Sequence, residues 1–290
     1  MNRIKMIGLA GLILVLAGCT ETGTVYVTGP DIEAPAAPRG VTSTTGNGQV
    51  WVDWLANGES DLAGYKVWRA SEANGIAGGP YTHIATVGPS VTTYTDLNMA
   101  NGTTYFYAVS AYDDNGNESA LSPEDVYDTP RPEGSSLVQD FNLHPSTAGF
   151  AFTNSAPYGS VVAWNSVSAD IYMEYSSADA AWFINATTVN TDLQDMGYTD
   201  GFDDVSYSPI SGWSSVGWVE AIVGHTYIIW TSDDHYAKIR ITAIGSPSTS
   251  GVSFDWGYQL DTDGRGHLEL KPAVRPQHDP ATYLRRTIAR

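Results

Sequence analysis

The chain has 290 residues and a formal net charge of −18, with 42% hydrophobic and 11% aromatic residues. That is enough apolar material for one to three packed domains and speaks against a disordered tail. The acidity repels phosphate backbones, which argues against nucleic acid as a partner, and the only cysteine, Cys19, leaves no second thiol for an intramolecular disulfide.

In chain order, Arg3 and Lys5 precede an apolar run from Met6 to Ala17 that is too short to span a bilayer comfortably. This is the order of a secretory signal peptide. It ends in Leu16-Ala17-Gly18-Cys19, which resembles the lipobox of bacterial lipoproteins. The resemblance implies removal of residues 1–18 and acylation of Cys19 with palmitate-like chains. Each buried methylene contributes about 0.8 kcal/mol to holding the chain in a membrane. Because Thr20 rather than Asp follows the cysteine, it also implies a cell-envelope address at the outer membrane of a diderm cell. Residues 19–35 read as an extended tether broken by Gly23, Gly29, Pro30 and Pro35.

Residues 36–130 alternate as short antiparallel strands separated by turn residues. Val50, Val52 and Trp54 share one face, as do Tyr65 and Val67, and then Tyr105, Tyr107, Val109 and Ala111. This stretch is similar to a fibronectin type III domain in the opening Pro35-Ala36-Ala37-Pro38, Trp54, and Gly64-Tyr65-Lys66-Val67. The likeness continues in Tyr94-Thr95-Asp96, the run from Met99 to Tyr105, Tyr107 to Ala111, and the loop Asp113 to Ser119. The resemblance implies a β-sandwich with Tyr105 as the corner tyrosine, its hydroxyl bonded to backbone. The same alternation turns Trp68 and Phe106 outward on neighbouring strands. It predicts an exposed aromatic patch that contacts either the following domain or a partner.

Pro130 to Gly134 break the pattern, and a second, mostly antiparallel β domain is expected over residues 135–272. Strands are predicted at Leu137–Leu143, Gly149–Thr153, Val161–Trp164, Ser168–Tyr175, Ala181–Ala186, His225–Thr231, His235–Ile244 and Val252–Leu260. A loop is predicted between Thr191 and Ser215. The fold class is therefore all-β. A hairpin between the last two strands sets Arg240 against Asp255.

Gly224 to Ile241, together with Val252 to Gln259, resembles the C-terminal strands of HmuY-like outer-membrane lipoproteins. That resemblance implies surface capture of haem through two histidines. Axial ligation needs imidazoles on facing elements around an apolar slot. His225 and His235 are the candidates, yet they begin successive strands and belong at opposite ends of an antiparallel pair.

The segment carrying Tyr198, Phe202, Tyr207, Trp213 and Trp218 is the candidate binding loop. Aromatics among Asp, Ser and Gly suit a sugar or another amphipathic small molecule, unless the rings fold back to cap the sheet. The turn Asp261 to Gly264 and the cluster Asp200, Asp203 and Asp204 are acidic enough for calcium but lack the other ligands of an EF-hand loop. No nucleophile elbow or metal-binding His-Glu-x-x-His helix is present, so no metal and no catalysis are expected. The basic tail, residues 273–290, carries Arg275, Arg285, Arg286 and Arg290, and is expected either to dock on the acidic protein, to meet anionic polymers, or to stay unstructured. The expected function is that of a lipid-anchored envelope binding protein, with haem capture or polysaccharide binding as the specific alternatives.

Overall fold

A computed structural model describes residues 31–71, 80–261 and 275–283. The expected signal peptide over residues 1–18, Cys19, the turn from Thr262 to Gly264, and Arg285, Arg286 and Arg290 lie outside them. No helix among the described residues is long and apolar enough to cross a membrane.

The first sandwich contains β1 (Arg39–Gly46), β2 (Gln49–Leu55), β3 (Leu62–Ser71), β4 (Thr82–Val87), β5 (Thr93–Leu97), β6 (Tyr105–Asp113) and β7 (Val126–Asp128). They form two sheets, ordered β1-β2-β5 and β4-β3-β6-β7. Alternation puts Val50, Val52, Trp54, Tyr65, Val67, Tyr107, Val109 and Ala111 into one buried cluster. The Tyr105 hydroxyl accepts a hydrogen bond from the Ala100 N–H at 3.2 Å, five residues upstream. This two-sheet arrangement is that of a fibronectin type III sandwich.

The expected exposed patch on this sandwich is not there. Phe106 is only 4% exposed, because its register partner on β7, Tyr127, packs against the ring at 5.6 Å. Trp68 is half-buried beneath its own register partner on β4, His83, with ring centroids 5.3 Å apart. Its Nε1–H donates to Ser110 Oγ at 2.8 Å. The flanking strands β4 and β7 supply the covers, which alternation within β3 and β6 does not reveal.

The chain passes almost directly into the second sandwich. Its strands are β8 (Glu133–Val138), β9 (Gly149–Phe152), β10 (Gly159–Val162), β11 (Ile171–Ser176), β12 (Ala181–Ala186), β13 (Asp192–Tyr198), β14 (Trp218–Glu220), β15 (His225–Trp230), β16 (Tyr236–Ile244) and β17 (Val252–Tyr258). Two five-stranded sheets result, β10-β9-β11-β12-β14 and β13-β15-β16-β17-β8. Between them lies an aromatic core in which Phe150 meets Phe254 edge-on at 5.2 Å and Phe152 stacks on Tyr258 at 5.5 Å. Aromatic pairs of this geometry add about 0.5–1.5 kcal/mol beyond area burial.

Three differences from the sequence expectation matter for the surface. Glu133 and Gly134, expected to break the pattern, open strand β8 and pair with Gly257 and Trp256. The segment expected to be a loop from Thr191 contains β13, an edge strand paired with β15. Arg240 does stand opposite Asp255. Its guanidinium instead donates to Thr199 Oγ1 and the Thr199 carbonyl, while Asp255 accepts from Ser135 Oγ.

Candidate functional site

The five aromatics of the candidate loop do not converge. After β13 the chain folds back over the outer face of β15 and β16, where Val205, Ile228, Trp230 and Tyr236 form a small second core with Trp213 against it. Trp213 lies 5.9 Å from Trp230 and stacks near Tyr236 at 6.5 Å. Trp218 belongs to the opposite sheet and packs edge-on to Phe183 at 5.3 Å. These two rings cap the β structure. Tyr207 is exposed on the surface of the same fold-back segment.

Tyr198 is the most exposed of the five. It is 77% exposed, yet it is held in place. Its ring meets that of His225 edge-on at 4.2 Å, and the His225 Nδ1–H donates to the Asp195 carboxylate at 2.9 Å. An irregularity in the β13–β15 register falls between Asp195 and Tyr198 and turns the ring outward. Gly224 beneath it has a positive φ of 84°, and a Cβ there would come within 3.2 Å of the ring. Thr199, anchored by Arg240, sits beside it. The outcome is one preorganised aromatic face bordered by hydroxyl and charged groups.

The second charged feature lies at the junction of the sandwiches, and the sequence pattern gives no sign of it. Arg131, between Pro130 and Pro132, is 1% exposed. Its Nη2 forms an ion pair with Glu133 at 2.9 Å and donates to Asp203 at 3.1 Å. Lys238 Nζ, also buried, donates to the Val205 carbonyl at 3.1 Å and lies 4.2 Å from the centre of the Phe202 ring. Burial, and then the charge of Arg131, push the pKa of the Lys238 amine down to about 7. Burial likewise pushes the Glu133 carboxyl up. The backbone N–H of Arg131 donates to the Gly46 carbonyl of the first sandwich. A cavity of about 160 Å³ remains, bounded by Ser43, Thr44 and Thr45 on one side and by Arg131, Asp203 and Lys238 on the other. Phe202 and Asp203 thus serve this junction, and Asp204 caps its own turn by accepting the Gly201 N–H at 2.7 Å.

Room for Arg131 depends on Gly257, the register partner of Lys238. A Cβ at Gly257 would stand 2.8 Å from Arg131 Nε and 3.3 Å from Phe202. Gly257→Ala is expected to destabilise the protein by about 1–3 kcal/mol, measured by denaturant unfolding, because Arg131 and Phe202 already occupy the space over Gly257.

His225 and His235 lie at opposite ends of the β15–β16 ladder, roughly 20 Å apart at ~3.4 Å per residue. His235 is buried, with Nδ1 3.1 Å from the Asp233 carbonyl and its ring against Tyr258. These two imidazoles cannot take one haem iron between them.

No protein-family profile matches the chain. It is similar to an amylopullulanase of Thermoanaerobacterium thermosulfurigenes, 44% identical over 99 residues that make up 34% of this chain and 5% of that protein. It is also similar to exoglucanase B of Cellulomonas fimi, 30% identical over 147 residues, 49% of this chain and 12% of that protein. Among solved structures it aligns with the fibronectin type III domain of human fibronectin type III domain containing protein 3 at 21% identity and a TM-score of 0.28, covering 34% of this chain and 87% of that domain. The chain spans only a small part of the length of the curated relatives it matches. Part of this chain is therefore similar to a small part of much larger amylopullulanases and an exoglucanase, while its first sandwich has the two-sheet fibronectin type III arrangement.

Proposed function

We propose that the chain is a lipid-anchored, non-catalytic binding protein of the cell envelope whose second sandwich contacts polysaccharide through Tyr198. The observation that carries this reading is a large aromatic ring left 77% exposed while His225 and Asp195 fix its orientation. A ring so placed stacks on the apolar face of a sugar, and the adjacent hydroxyl and charged groups bond its edge. The partial similarity to amylopullulanases and an exoglucanase supports the same ligand class. The Leu16 to Cys19 motif supports a lipid anchor. The likeness of the last three strands to HmuY-like lipoproteins supports an outer-membrane setting.

Retention of the purified protein on insoluble starch and cellulose is the direct test. Tyr198→Ala is expected to weaken binding about tenfold, equivalent to about 1.4 kcal/mol, with unfolding unchanged because the ring is exposed. Equal retention of both proteins overturns the assignment of Tyr198. A saturable Soret shift on adding haemin, with no polysaccharide retention, overturns the ligand class. For the anchor, Cys19→Ala is expected to abolish palmitate labelling and move the chain from the membrane fraction.

A further inference from the structure

The segment from Arg275 to Tyr283 returns to the second sandwich and fills a recess at the edge of β13. The recess is made by cross-strand partners, Asp192 on β13 and Trp230 on β15. Asp192 is fully buried. Trp230 is fixed from behind by Trp213 and Tyr236, and its Nε1–H donates to Asp234 Oδ1 at 2.7 Å. Arg275 lies over the Trp230 ring, its guanidinium carbon 4.0 Å from the centroid. Its Nη1 donates to Asp192 Oδ2 at 3.0 Å, to the Trp230 carbonyl at 3.3 Å and to the Asn190 carbonyl. Its Nη2 donates to the Thr231 carbonyl at 2.7 Å. A second anchor follows: His278 Nε2 bonds Asp192 Oδ1 at 2.5 Å, its ring stacks on Tyr283 at 3.8 Å, and the buried Tyr283 hydroxyl donates to the Thr191 carbonyl at 2.7 Å.

We propose that this recess is a binding site for the guanidinium group of an arginine-bearing peptide, filled in this chain by its own segment 275–283. The chemistry selects the group. A carboxylate and three carbonyls surround the rim in different directions, and an indole forms the floor. A planar fork with five donors meets all of them while stacking, whereas an ammonium is a point charge that cannot. The recess also demands a cation, because an unpaired carboxylate at this depth is costly. Most of its walls come from β13, β15 and the turn after β15, whose backbone is held by the β13–β15 ladder. Occupation in cis is favoured by the high effective concentration of a tethered ligand. It also covers the exposed end of an edge strand that would otherwise invite pairing with another chain.

Chemical rescue tests this in the whole 290-residue chain. Arg275→Ala is expected to lower the melting temperature and change tryptophan emission. Millimolar ethylguanidinium should restore most of the loss saturably, and ethylammonium should not. Adding Asp192→Asn should abolish the rescue. A synthetic peptide of residues 275–283 should bind the Arg275→Ala protein and not the parent, whose recess is filled. Equal effects of the two cations, rescue that survives Asp192→Asn, or no peptide binding to the variant overturns the proposal. Should Arg275→Ala fail to fold, Arg275→Lys serves instead. It is expected to bind the peptide where the parent does not, and an Arg275→Lys protein as stable and as inert to peptide as the parent also overturns it.

Discussion

Replacing Arg131 with alanine is expected to destabilise the protein by about 3–5 kcal/mol, the usual effect of removing one partner from a buried charge cluster. The variant leaves Glu133 and Asp203 without their shared cation beside Phe202, and it removes the side chain that closes the cavity against β1. Equilibrium unfolding measures the loss. Protease sensitivity around Pro130 and Pro132 reports whether the two sandwiches have come apart. A pH signature distinguishes this from simple loss of packing. In the parent the pKa of the Lys238 amine is pushed down to about 7 from 10.5. Between those values the unfolded chain therefore binds a proton that the folded chain does not, and stability rises with pH. Arg131 is the second cause of that depression, after burial. In Arg131→Ala the folded amine should thus titrate higher, and the rise in stability above pH 7 should flatten. A variant as stable as the parent, or one with the same slope, would show that the cluster does not hold the junction.

Asp170 is expected to yield the opposite result, a substitution that stabilises. The residue is 7% exposed, and its carboxylate accepts the Phe152 N–H at 2.8 Å. Burial is the main cause that pushes the pKa of its carboxyl up to about 7; the backbone hydrogen bond opposes this, and the Asp233 charge adds to it. The folded state then holds a proton that the unfolded chain has released between about pH 4 and 7, so stability falls as pH rises through that window and levels above it. Asp170→Asn keeps an acceptor for Phe152 and cannot ionise. It should match the parent near pH 4 and exceed it by a few kcal/mol at pH 8, because the parent loses about 1.4 kcal/mol for each pH unit crossed within that window. Taking the difference between variant and parent at each pH cancels the other titrating groups. Equal stability of the two proteins at pH 8 would sink the argument.

Much of the architecture was legible from alternation alone, for a simple reason. A strand with one buried face writes its period into the sequence. Val50, Val52 and Trp54 in the first sandwich, and Val252, Phe254, Trp256 and Tyr258 in the second, all reach the cores. Strand β13 was not legible, because Asp192-Leu193-Gln194-Asp195 carries charge where alternation expects apolar residues. Its carboxylates are satisfied by Arg275, His278 and His225, which lie far along the chain. The candidate loop was legible as aromatic, but which ring it would present was not.

The aromatic face at Tyr198 shows why. Sequence placed Tyr198 among five equivalent rings, and only the register irregularity, the His225 edge contact and the backbone of Gly224 single it out. The two prolines around Arg131 show the same division. By themselves they signal a break between two domains. In the folded chain they hold a buried arginine between Gly46, Glu133 and Asp203, so the break becomes a junction. Local alternation was enough for the all-β class, the first sandwich and the inward faces of its long strands, because burial on one side of a strand is a local pattern. Which aromatics stay in water, which charges are buried and where Arg275 docks all depend on partners that sequence distance hides.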